Sequence, residues 1–212
     1  YGFSLKETEA LINTDDVDFV CQHYEERANS LEEEIQRKQL TLDYLKRILV
    51  LLKQLPSEVW TIRLESSPGI YRLEFMEGDD LILETDELDA FSNWAGLAPF
   101  SFPSQRNCWA SLEQGEDRSF SALGILEADA KALGMPEFVR AGSYIPPSPS
   151  LYTVVDISEE NSSCVQYLDH LKKYVCQHHI SVAGDPVCRT FLSMNKKEDY
   201  RRFRQVWLPI AL

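Results

Sequence analysis

VDFVCQHYEERANSLEEEIQRKQLTLDYLKRILVLLKQL, residues 17–55, decides the architecture. It holds neither Pro nor Gly and is rich in Glu, Gln, Lys, Arg and Leu, residues that lose little rotamer freedom in a helix. Tyr24, Ala28, Leu31, Ile35, Lys38, Leu42, Leu45, Leu49 and Leu52 follow one another in alternating steps of four and three. That is a heptad seam, and such a seam packs against another helix in a left-handed supercoil. A helix of this length spans roughly 55–60 Å at ~1.5 Å per residue. The remaining chain is too small to cover such a stripe, so the seam calls for a second copy, a homodimer through residues 17–56. Ala28 and Lys38 are imperfect seam residues, and Lys38 reads as a register device or a snorkelling side chain.

On the N-terminal side, Tyr1 to Ile12 reads as a short helix. Ser4 and Glu7 have the spacing of a capping box, in which each side chain satisfies the other's free backbone N–H. Asn13-Thr14-Asp15-Asp16 then breaks the pattern. On the C-terminal side Pro56 is expected to end the long helix. Val59 to Glu65 alternates, Ser66-Ser67-Pro68-Gly69 is a turn, and Ile70 to Met76 is strand-like. Thr85 caps a helix carrying Leu88, Phe91 and Trp94, followed by apolar stretches at 107–112 and 120–126. Residues 127–144 read as a connection and 145–150 as a Pro/Ser-rich loop. Leu151 to Ile157, a helix capped by Ser162 or Ser163, and strands at 187–194 and 205–212 repeat the grammar. The fold class is therefore α+β: a long dimerisation helix, then two strand–helix–strand–strand repeats over about 59–126 and 151–212, with a cleft between them for a ligand.

The chain has 212 residues and a formal charge of −13, which argues against a DNA-binding surface in this portion because such surfaces cluster Lys and Arg. A hydrophobic fraction of 44% argues for a folded chain, and no apolar run is long enough to span a bilayer. The first eighteen residues lack the basic start and apolar block of a signal peptide. The five scattered cysteines form no CxxC pair and read as reduced thiols, so a cytoplasmic setting is expected. No HExxH, GxSxG, Walker or GxGxxG pattern occurs, and neither a cofactor nor a metal is assigned.

Several segments carry a family resemblance. Tyr1-Gly2-Phe3-Ser4-Leu5-Lys6-Glu7-Thr8 resembles the element that precedes the dimerisation helix in MerR-family transcription regulators. From Val59 onward the chain resembles the GyrI-like effector-binding domain of the multidrug-sensing branch. The matching stretches are Leu151-Tyr152-Thr153, Gly184-Asp185-Pro186-Val187-Cys188-Arg189-Thr190 and Gln205-Val206-Trp207-Leu208-Pro209-Ile210. The resemblance implies three parts: residues 1–16 as the end of a DNA-binding region, 17–56 as the dimerisation helix, and 57–212 as the effector domain. It also implies a small-molecule effector, aromatic or amphipathic and in relatives often cationic. Promoter DNA would be contacted only through a helix-turn-helix lying before Tyr1.

In such relatives a buried carboxylate pairs with a cationic ligand, a selective device because an unpaired buried charge is costly. By this resemblance Cys188 stands where the carboxylate would be, Cys108 and Cys164 stand for pocket tyrosines, and Thr190 stands for an apolar wall residue. A further tyrosine corresponds to Tyr200 or, with a shifted gap, to Phe203. Leu88, Phe91, Trp94, Trp109 and Trp207 are the apolar and aromatic candidates, each read either as core or as a surface for stacking a planar ligand. Glu159 is a substitute acid or a partner of the helix dipole. Two other readings stay open: a GyrI-like hydrolase, and a soft-metal or redox sensor built on Cys108, Cys164 and Cys188.

Overall fold

The computed structural model describes residues 2–83, 88–140, 142–196 and 199–211, except the side chains of Glu159, Lys196 and Asp199. Thr85, the expected cap of the third helix, lies outside the described residues. The chain divides into two compact units, residues 1–46 and 47–212.

In the first unit α1 (Leu5–Ile12) opens on the expected capping box. The Ser4 backbone N–H donates to Glu7 Oε2 at 2.6 Å, and the Glu7 N–H donates to Ser4 Oγ at 3.2 Å. Asp16 starts the next helix by accepting from the Asp18 and Phe19 backbone N–H groups at 3.0 and 3.2 Å. That helix, α2 (Val17–Glu58), runs 42 residues with none of them buried. Its seam is open: Tyr24, Leu31, Ile35, Leu42, Leu45 and Leu49 are all exposed. Pro56 does not end the helix, which continues to Glu58. A proline removes only its own N–H and crowds the preceding turn, and in the last turn few bonds remain to lose. The chain turns at Trp60, which has a φ of 63° and donates its N–H to Val154 O at 2.8 Å.

In the second unit, after the end of α2, the chain forms β1 (Arg63–Ser66), β2 (Ile70–Glu77), β3 (Asp80–Leu81), α3 (Leu88–Ala95), β4 (Ser101–Asn107), α4 (Trp109–Gln114) and β5 (Ser119–Leu126). It continues through α5 (Glu127–Ala132), α6 (Glu137–Arg140), β6 (Ser143–Ile145), β7 (Pro149–Ile157), α7 (Cys164–Tyr167), α8 (Asp169–Gln177), β8 (Val187–Lys196) and β9 (Asp199–Pro209). Among the described residues nine strands form one sheet in the order β1-β7-β9-β8-β4-β5-β2-β3, with β6 on β2. The doubling expected from the sequence is present, as β2-α3-β4-β5 and β7-α7/α8-β8-β9, joined where β4 pairs antiparallel with β8.

Within each repeat the first two strands are parallel, since both run antiparallel to the third. Crossovers between parallel strands are right-handed, and an in-plane rotation relates the two repeats, so α3 and α7/α8 lie on one face of the sheet. The other face seats the end of α2: Leu55 and Val59 pack on Ile70, Phe102, Tyr152, Val154, Val187 and Trp207. Arg47 reaches Asp129 of α5 at 2.5 Å. The strand β7 is buried at nearly every position because both of its faces are covered, which is why LYTVVDI reads as a near-continuous apolar run. Gly124 is required by a close approach, since a Cβ there would stand 2.6 Å from Phe102 Cε2.

Three boundaries differ from the sequence reading. Val59 to Glu65 is not a strand of the first repeat. The helix runs to Glu58, and β1 is an edge strand paired with β7 of the second repeat, so Leu64 is exposed. The stretch 107–112 divides between the end of β4 and α4, because Asp185 accepts from the Trp109 N–H at 3.0 Å and opens a helix there. The connection at 127–144 contains α5, α6 and most of β6, an antiparallel partner of β2.

Candidate ligand floor between the repeats

The helix-covered face is built outward from the β4–β8 junction. Gln105 pairs with Cys188, Cys188 with Val206, and Thr190 with Arg204, so these residues share one face. Beneath α7 and α8 this face is core: Cys164, Tyr167, Leu168, Leu171, Val155, Cys188 and Val206 belong to one cluster. Towards the first repeat the cover thins. Pro103, in the middle of the sheet, is exposed, and Gln105, Thr190, Ser121, Leu123 and Arg204 are half-buried. On the far side Phe91 of α3 meets Phe75 edge-on, ring centroids 5.3 Å apart.

A chain of polar groups crosses this floor. The Tyr167 hydroxyl lies 3.2 Å from Asn107 Oδ1 and 3.3 Å from Gln105 Oε1. Asn107 Nδ2 donates to Cys188 Sγ at 3.5 Å. Arg204 donates through Nη1 to Gln105 Oε1 and to the Tyr167 hydroxyl (3.2 Å), and through Nε to Thr190 Oγ1 (3.2 Å). The guanidinium is thus held by three neutral acceptors. Behind the floor, Arg72 donates to Ser104 Oγ at 3.1 Å, and Ser104 Oγ donates to Cys188 O at 2.9 Å. Arg72 also pairs with Glu74, which is shared with Arg106. Burial would raise the Glu74 carboxyl, but the two guanidiniums outweigh it and hold it below its usual range.

The thiols differ sharply. Burial pushes Cys188 up to about 11. Burial, reinforced by the Asp117 carboxylate, pushes Cys164 well above its usual value, while Asp117 also accepts from the Cys164 backbone N–H at 3.0 Å. Cys108, the N-cap residue of α4, is lowered by hydrogen bonding from Ser111. Among the described residues no group of three His, Cys, Asp or Glu side chains is arranged to hold a metal ion.

The structure distributes the remaining candidates. Thr190 lies on the half-covered floor, Cys188 is buried in the helix-side core on the same sheet face, and Phe91 packs on Phe75. Leu88, the first residue of α3, is 51% exposed. Trp94 is fully buried and donates Nε1–H to Phe138 O at 3.3 Å, a core position. Trp109 is buried beside Leu112 in the helix-side core. Trp207 and Phe203 point to the opposite face, where Trp207 donates to Glu65 Oε1 at 3.0 Å, so neither shares a cavity with Cys188. Tyr200 stacks under the Arg202 guanidinium at 4.5 Å, near the start of β9. Glu159 belongs to a 3-10 turn, Glu159–Asn161, and its side chain lies outside the described residues. Gln105, Tyr167 and Arg204 were not singled out from the sequence. The signal for Arg204 is its two-residue spacing from Val206 and Leu208, which puts a charge on an otherwise apolar strand face.

Solved structures that resemble the chain include two of EcmrR. One, described as the crystal structure of the EcmrR C-terminal domain, has a TM-score of 0.43 and 9% identity, over 71% of this chain and 97% of that one. The other, the cryo-EM structure of an EcmrR–DNA complex, has a TM-score of 0.44 and 13% identity, over 99% of this chain and 78% of that one. No protein-family model matches the sequence, and no curated protein matches it.

Proposed function

We propose that this chain is the effector-sensing and dimerising part of a MerR-type transcription regulator, holding a small aromatic or amphipathic molecule on the floor between its two repeats. The observation that carries the reading is the uncovered centre of the sheet. A nine-stranded sheet with helices on one face should bury its middle strands, yet Pro103 is exposed and Gln105, Thr190 and Arg204 are only half-covered. Polar groups converging beside apolar residues in such a gap are the chemistry of a small-molecule site. The open seam of α2 supports the second half of the proposal, since six large apolar side chains left in water favour a twin helix.

The layering also offers a route from ligand to helix. Gln105 and Thr190 face the floor, while their strand neighbours Ser104 and Arg189 face the side where Leu55 and Val59 of α2 are seated. A guest that shifts β4 against β8 therefore bears on the root of the dimerisation helix.

A sensor is favoured over a GyrI-like hydrolase because the position of the relatives' acid holds a buried thiol pushed up to about 11, which is neither a base nor a nucleophile at neutral pH. The test is a thermal-shift panel of neutral and charged aromatic compounds against the chain and a Thr190→Trp variant that fills the floor. A ligand at 100 times its Kd stabilises by about 2.7 kcal/mol. At least one compound should stabilise the chain and not the filled variant. Stabilisation by none, or equal stabilisation of both proteins, would refute the site.

A further inference from the structure

Arg204 brings a positive charge to a floor where the relatives' resemblance leads one to expect a negative one. Its three hydrogen-bond acceptors are all neutral, and among the described residues no carboxylate lies within ion-pair distance. Half-covered arginines are normally matched by an acid, because the guanidinium gives up solvation without recovering Coulomb energy. Arg202, two residues earlier on the same strand, points to the same face, and the two like charges disfavour one another: Arg202 is lowered first by burial and then by Arg204. This occurs in a chain whose formal charge is −13, so a local pair of cations is a departure that requires a reason. Apolar groups share this face: the buried Tyr167 ring has its centroid 5.5 Å from the Arg204 guanidinium, Pro103 is exposed and Leu123 half-buried, and Phe91 packs on Phe75 of β2.

Resting on the reading of this floor as an effector site, we propose that its ligand is an amphipathic anion, an aromatic acid whose carboxylate or sulfonate pairs with Arg204 while its ring lies towards Phe91. Gln105, Tyr167 and Thr190 hold the guanidinium through Nη1 and Nε, which leaves the Nη2 donors for one oxygen of an anion, a partner that a fixed positive charge favours over any cation or neutral group. The same arrangement repels cations. Cys188, buried and protonated at neutral pH, offers them no counter-charge.

The test is calorimetric titration of the full chain with three probes that share the naphthyl ring and carry an anionic, a neutral and a cationic head group: 2-naphthoate, 2-naphthylmethanol and 2-naphthylmethylammonium. The anion should bind tightest, by about tenfold or more over the alcohol, the scale of one hydrogen bond to a charged group. Its advantage should fall with added salt. In Arg204→Gln the anion's preference should vanish, and Arg204→Lys should retain most of it. Because the ranking of the three probes is read on the unaltered chain, it stands even if a variant misfolds. Tighter binding of the ammonium, or equal binding of all three, overturns the anion proposal and leaves the sensor reading standing. Binding of none removes both.

Discussion

His170 in α8 should make the fold lose stability as the pH falls below about 6.5. The ring is half-buried, with Nε2 3.3 Å from Thr153 Oγ1 and its plane edge-on to Trp60 at 5.0 Å. Burial pushes its pKa down from 6.5 to about 4. Above pH 6.5 the ring is neutral in both folded and unfolded chains, and the full stability is present. Between 6.5 and 4 the unfolded chain takes a proton that the folded chain refuses, so stability falls as pH falls. The full shift corresponds to roughly 3 kcal/mol at ~1.36 kcal/mol per unit. Between pH 7 and pH 5.2, linkage gives a loss of about 1.6 kcal/mol. Urea unfolding at fixed protein concentration, followed at several pH values in that range, measures it. A His170→Gln variant should show a flatter profile by about that amount, and a variant profile parallel to the original would refute the argument.

Two further outcomes follow from exposure and titration. Leu42→Glu combined with Leu49→Glu should convert a dimer into a monomer in light scattering while leaving the melting of the second compact unit nearly unchanged. A monomeric unaltered chain would instead contradict the seam. Under native iodoacetamide labelling, Cys108, whose thiol is lowered by Ser111, should react readily, while Cys164 and Cys188 should stay unlabelled until the chain unfolds. Prompt modification of Cys188 would show that the floor is not packed as described.

Much of the architecture was legible because its patterns are periodic. The alternating steps of four and three from Tyr24 to Leu52 mark one helix face, and the apolar run at Leu151 marks a strand covered on both sides. The end of α2 was less legible: Pro56 is a strong local signal, but its penalty depends on how many hydrogen bonds follow it. The β1 segment alternates as an inner strand would, yet Leu64 lies at an edge, and alternation alone does not say which face is wet. The stretch at 107–112 hid a strand end and a helix start, because the bond from the Trp109 N–H to Asp185 joins residues far apart in sequence.

The site was legible in part. Cys188 and Thr190 share one face of β8, and strand parity alone separates Phe203 and Trp207 from Arg204 and Val206. Tyr167, Gln105 and Arg204 come together only through the β4–β8 junction, a long-range pairing with no local trace.

The central claim, a guest molecule seated on the floor between the repeats, is tested most directly by mapping amide and side-chain NMR shifts of the full chain during titration with 2-naphthoate. The largest changes are expected at the side-chain amides of Gln105 and Asn107 and at Thr190 and Arg204, with smaller changes at Leu55 and Val59. Shifts confined to residues 17–46, or to the opposite face around Trp207 and Glu65, would contradict it.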